Sequence, residues 1–214
     1  MTSRVLRDTR SLSMKKLHRP EFFGWSRFDE ARNIDFHSLL WVRPGGNVLV
    51  DPLPLSPHDE AHLAALGGAS LIIVTGSDHV RDTQKIAELC GAKVAGPIAE
   101  RDSFPIPCKH WLREGDEPVP GLTVLEMKGS KTNGELALLI EEHTLVTGDL
   151  VRAHQAGSLN LLPDDKLVSR EAALDSVRRL LDFTKVQAIL VGDGWPIFRD
   201  GHRVLRELVA SLDG

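Results

Sequence analysis

Three stretches of this sequence pass from an apolar run straight into charged side chains. Ala69 to Val74 delivers Thr75-Gly76-Ser77-Asp78-His79, Thr144 to Thr147 ends in Gly148-Asp149, and Val186 to Val191 ends in Gly192-Asp193-Gly194. Short apolar runs suit buried strands. The C-terminal edge of such strands is where layered α/β folds build their sites. Arg81 lies just beyond His79 and Arg152 just beyond Asp149, where a guanidinium could hold an anionic substrate in a fork. Trp195, next after Gly194, could wall the same pocket. The plainer alternatives are helix-surface arginines and a tryptophan that only packs.

Other chemistries find little footing. Gly129-Ser130-Lys131-Thr132 superficially resembles a phosphate-binding loop but lacks the earlier glycine and the Gly-Lys pair. There is no Gly-x-Ser-x-Gly elbow and no dinucleotide-type glycine fingerprint. Cys90 and Cys108 are too few and too far apart for a disulfide framework or a paired-cysteine zinc site. His58, His62, His110 and His202 lack ligand-like spacing, which leaves them surface or structural roles, and His154 is undecided.

The elements that must position these residues follow from pattern and punctuation. His37 to Asp51 reads as a β-hairpin around Pro44-Gly45-Gly46-Asn47. Ser56-Pro57 opens a helix that Gly67-Gly68 stops after Leu66. Arg81 to Cys90 has helical spacing ended by Gly91, and Lys93 to Ala95 is extended. Thr123 to Met127, Glu135 to Ile140 and Thr144 to Thr147 read as antiparallel strands. Glu171 to Phe183 and His202 to Leu212 are amphipathic helices around the strand Val186 to Val191. Two packed sheets with helices on both outer faces accommodate this order.

The chain has 214 residues, 42% of them hydrophobic, enough for one well-buried core. A net charge of -4 with mixed signs gives no footprint for nucleic acid or an anionic membrane, so the expected partner is a small-molecule ligand or substrate. No apolar run approaches the roughly 20 residues of a membrane helix, and the start lacks a secretory apolar core. A cytoplasmic protein is expected. Met1 to Lys16, rich in Arg, Ser and Lys, reads as a flexible tail, with residues 17–214 as a single domain.

Taken in order, Val48-Leu49-Val50-Asp51-Pro52, Asp78-His79, Lys131-Thr132-Asn133-Gly134, Thr147-Gly148-Asp149 and Gly192-Asp193-Gly194 resemble the landmarks of the metallo-β-lactamase fold superfamily. The resemblance covers nearly the whole chain after Met14. It implies a four-layer αβ/βα sandwich and a hydrolase ancestry; the oligomeric state is left open, a symmetric homodimer being the commonest form of soluble homo-oligomer. It also shows departures. Aligned on Asp78 and His79, the family's His-x-His-x-Asp-His places Val74 and Gly76 at the leading histidines. Lys131 stands at the next histidine and Asp193 at the last, while Asp149 matches the bridging aspartate.

By this resemblance the three-histidine metal site is lost, and at most one metal remains, on Asp78, His79, Asp149 and Asp193. One nitrogen with several hard oxygens suits Mn²⁺, Fe²⁺ or Mg²⁺ at least as well as Zn²⁺. A lone metal could activate water to hydrolyse an ester, thioester or phosphoester, with Asp78 and Lys131 as the catalytic candidates. The alternative has no metal: the Lys131 ammonium compensates Asp78, Asp149 and Asp193 directly, giving a non-catalytic binding or regulatory protein.

Overall fold

The computed structural model describes residues 14–212. Strands β1 (Lys15–Lys16), β2 (Phe22–Asp29), β3 (Ile34–Trp41) and β4 (Val48–Val50) form an antiparallel run. After helix α1 (Pro57–Ala65), strand β5 (Leu71–Ile73) adds parallel to β4. Helix α2 (Thr83–Cys90), β6 (Lys93–Pro97) and β7 (His110–Leu112) complete a seven-stranded sheet. The second sheet comprises β8 (Leu122–Glu126), β9 (Leu136–Ile140), β10 (Thr144–Thr147) and β13 (Ala188–Val191), in the order β13-β10-β9-β8. Between β10 and β13 come a hairpin of β11 (Val151–Gln155) and β12 (Ser158–Leu161) and helix α3 (Arg170–Arg179), and α4 (Gly201–Leu212) closes the chain.

Side chains alternate across the strands and sort into three cores. Leu39 and Trp41 of β3 face Leu138, Ile140, Val146 and Leu190 of the opposite sheet. Leu40, between them, packs outward with Leu63 of α1 and Ile86 of α2. On the far side, Leu139, Leu145 and Ile189 pack with Val177 of α3 and with Val204 and Leu208 of α4. Helices, sheet, sheet and helices are thus four layers.

The capping signals act as their chemistry requires. Ser56 accepts from the Asp59 amide at 3.2 Å while the Asp59 carboxylate accepts from the Ser56 amide at 2.9 Å, a reciprocal cap on α1. Gly91 ends α2 in the left-handed conformation. Some elements were not visible in the sequence, namely β2, β7 and the β11–β12 hairpin. The tail expectation needs one correction: Met14 is buried and Lys15–Lys16 pair with β2, so these residues belong to the fold. The rest of that expectation, residues 1–13, lies outside the described residues.

Parallel pairing places the site. Val50 aligns with Ile73 and Thr147 with Val191, so β4, β5, β10 and β13 all release their C-terminal residues at one edge. The Leu136 amide donates to the Thr75 carbonyl at 2.7 Å, tying the two sheets together there.

Gly129, between β8 and β9, has φ +79°, and a Cβ there would lie 2.2 Å from the Ser169 carbonyl oxygen and 2.4 Å from the Ala173 nitrogen. Both neighbours are backbone at the start of α3 and cannot step aside. Gly129→Ala is therefore expected to destabilise the protein by at least about 2 kcal/mol in urea unfolding, against ~0.5 kcal/mol for an unstrained surface change.

Candidate functional site

The geometry is built outward from His79, which sits on a short 3-10 turn (Ser77–His79) after β5 and is buried. Its Nδ1 lies 2.9 Å from Asp51 Oδ2 and 3.0 Å from Thr75 Oγ1. The Thr75 hydroxyl donates to Asp51 Oδ2 at 2.6 Å, and the Thr75 amide donates to Asp51 Oδ1 at 2.8 Å. The opposite ring nitrogen, Nε2, is 3.5 Å from Asp149 Oδ1. Burial opposes charge on the ring, but Asp51 and the hydrogen bonds to Asp149 and Asp51 prevail and push its pKa up to about 10. At neutral pH both ring nitrogens donate, each to a carboxylate.

Asp149 meets three cations. His79 is one, the Arg152 Nη2 is 3.2 Å from Oδ1, and the Lys131 Nζ is 3.7 Å from Oδ2. Burial pushes its carboxyl pKa up, yet these partners outweigh burial and hold it well below the usual range. The same Arg152 nitrogen lies 2.5 Å from Asp193 Oδ2. Arg81 approaches Asp193 Oδ1 at 3.9 Å and donates to the carbonyls of His37 and Asp51 at 2.5 and 3.0 Å. Lys131 contacts Asp78 directly, in a pair that is 44% and 41% exposed.

Of the residues singled out in the sequence, Asp78, His79, Arg81, Lys131, Asp149, Arg152 and Asp193 line one cavity of about 550 Å³. The eighth, Trp195, does not. Gly194 turns the chain at φ +96°, and a Cβ there would lie 2.0 Å from the Ala153 carbonyl oxygen. Trp195 is thereby carried to the rim of a second cavity.

His79, Asp149 and Asp193 each offer one ligand atom, and these atoms lie within 4.8 Å of one another. Asp78 lies outside that group. Arg81 and Arg152 are not helix-surface residues: both side chains are about nine-tenths buried. Val74 packs into the outer core and away from the edge.

Several participants had no assigned role in the sequence, Asp51 and Glu135 chief among them. Asp51 orients His79 from a left-handed backbone with φ 46°, and its signal was a charge set directly after an apolar strand. Glu135 is buried behind Gly148, accepting from the Ser130 hydroxyl and the Leu150 amide. Burial pushes its carboxyl up to about 7 despite those bonds.

A family model of the metallo-beta-lactamase superfamily matches residues 14–212. The chain belongs to the metallo-beta-lactamase superfamily. A metallo-beta-lactamase from Pontibacter korlensis superposes with TM-score 0.72 at 15% identity, covering 94% of this chain and 98% of that one. A metallo beta lactamase from Hirschia baltica gives 0.68 at 16%, covering 92% and 95%. A metallo-beta-lactamase family protein from Thermus thermophilus gives 0.68 at 20%, covering 91% and 80%. No curated protein matches the chain in sequence. At such identities the likeness speaks for the fold.

The burial of each pair sets its energetic weight. Arg152→Met takes from the buried Asp193 its closest cation and from Asp149 one of its three, and is expected to cost about 3–5 kcal/mol. Lys131→Met opens a half-exposed pair and is expected to cost no more than ~1 kcal/mol. Urea unfolding of both variants checks the ranking, which equal losses would contradict. Glu135 supplies a pH test. Its folded pKa is raised from 4.5 to about 7, so the folded state holds this proton more tightly, and stability declines as pH rises through that window. Glu135→Gln is expected to remove this decline, by a few kcal/mol in urea unfolding at pH 8 relative to pH 5.

Proposed function

We propose that this pocket binds a small anionic molecule without a metal, internal cations having taken the place of the metal ions. The observation that carries the reading is the Arg152 guanidinium, 2.5 Å from Asp193 and 3.2 Å from Asp149. It lies where an ion shared by those two carboxylates would have to sit. As they stand, the residues do not fit a divalent ion, which would have to displace a buried guanidinium and take the second proton from His79. Lys131 on Asp78 supports the same reading at the position of the lost histidine.

The lining favours anions. Arg32, Arg81, Lys131, Arg152 and Lys166 face Asp78, Asp149 and Asp193, and His79 adds a further positive charge. Three carboxylates are thus outnumbered. The more exposed Lys131, Lys166 and Arg32 are the groups positioned to meet an incoming carboxylate or phosphate. The buried Arg81 and Arg152 hold the floor. The reading is one of binding and not of hydrolysis.

A second reading keeps one metal on His79, Asp149 and Asp193. It is favoured by their convergence within 4.8 Å and by Asp193 Oδ1, which is buried and, among the described residues, without a hydrogen bond. Elemental analysis with thermal unfolding separates the two. The metal-free reading expects no stoichiometric metal, the same melting temperature in chelator as with Mn²⁺, Fe²⁺, Mg²⁺ or Zn²⁺, and a rise with millimolar phosphate or citrate. One tightly held metal, with a melting temperature that falls in chelator, would establish the second reading instead.

A further inference from the structure

The second cavity, of about 450 Å³, has no part in the charged site. A shared wall separates them: Arg81 reaches the wall from the charged side to bond the His37 and Asp51 carbonyls, while His37 and Asp51 line the second cavity. Its origin is a mismatch between layers. The smaller sheet ends at β13, and four strands leave part of the inner face of β2 and β3 uncovered. Gly24, in mid-strand on β2, lies in the cavity's lining, with Leu17 packed 3.3 Å from where a Cβ would sit.

The lining is apolar at the bottom and aromatic at the rim. Leu39, Val50, Val146 and Leu190 belong to the core between the sheets. Trp195 and Phe198 are 56% and 42% exposed at the rim, large apolar side chains left in water. The charges offer no ion a grip. Arg27 meets Asp59, Asp51 is held by His79, and the remaining Lys15 and Asp35 are opposite in sign.

One polar atom stands apart. His37 Nε2 lies 2.6 Å from the Gly194 carbonyl oxygen, so that nitrogen carries the proton and Nδ1 is left as an acceptor. Among the described residues Nδ1 has no hydrogen-bond partner. Burial, the largest influence on this ring, pushes its pKa down and keeps it neutral.

We propose that this cavity binds a small phenolic molecule, its ring held between Trp195 and the aliphatic floor and its hydroxyl donating to His37 Nδ1. The volume lies in the range of ligand cavities, roughly 300–1,000 Å³. An aliphatic body would leave the aromatic rim unused, and a carboxylate would meet a lone pair with a lone pair. The proposal stands independently of what the charged site binds.

Three probes of one shape test it: 2-naphthol, naphthalene and 2-naphthoate, titrated into the full chain and followed by calorimetry and amide NMR shifts. Saturable one-to-one binding of naphthol is expected, about threefold to tenfold tighter than naphthalene, which is what one hydrogen bond supplies. Naphthoate should bind most weakly. Trp195→Ala, a change at an exposed position, should weaken naphthol and naphthalene alike by several fold. His37→Phe should erase the preference for the hydroxyl. Equal affinity for naphthol and naphthalene, naphthoate as the tightest probe, or a Trp195→Ala chain that binds unchanged would each overturn the proposal.

Discussion

Carboxylates gathered at the end of two sheets repel one another, and burying them raises the free energy of each unless a cation accompanies it. This constraint organises the molecule. Asp51, Asp149 and Asp193 are buried or nearly so, and each lies against a charge held by the fold: His79 between Asp51 and Asp149, Arg152 between Asp149 and Asp193. The cations carry a second burden, because His79 and Arg152 are themselves desolvated and would be costly alone. Removing either sign leaves the other stranded. The left-handed backbones of Asp51 and Arg81, φ 46° and 45°, are tolerated because these contacts fix them.

The open edge of the sandwich is closed by ion pairs between the fold's own side chains. The guanidinium of Arg152 joins Asp149 and Asp193 from within the chain, with fixed hydrogen-bond directions. Lys131 plays the lesser part. Its pair with Asp78 is open to water and therefore weak.

Much of the fold was legible because its strands are short, apolar and punctuated. Ser56-Pro57, Gly91 and Pro44-Gly45-Gly46-Asn47 fix ends and turns by local chemistry, which a sequence carries openly. β2 was hidden because Phe22–Asp29 mixes a glycine, a serine and an arginine into one strand, and its pairing with β3 is a tertiary fact. The β11–β12 hairpin was hidden because Arg152 and His154 do not read as strand residues. The site was legible as a cluster at strand ends. Who pairs with whom was not, since Arg152 bridging to Asp193 depends on side-chain direction across 41 residues. Trp195 misled because one left-handed glycine turns the chain through the wall between the cavities.

The parallel pairing of β10 with β13 also sets a schedule. During synthesis Arg152 leaves the ribosome 41 residues ahead of Asp193, an interval of roughly 2–8 s at ordinary elongation rates. Throughout that interval β10 presents an open hydrogen-bonding edge bearing Leu145 and Val146, and the guanidinium lacks its closest carboxylate. The nascent chain therefore passes through a sticky, charge-imbalanced stage that ends only when Ala188 to Asp193 dock. A chain cut before Ala188 would keep that edge of β10 open and leave Arg152 without Asp193.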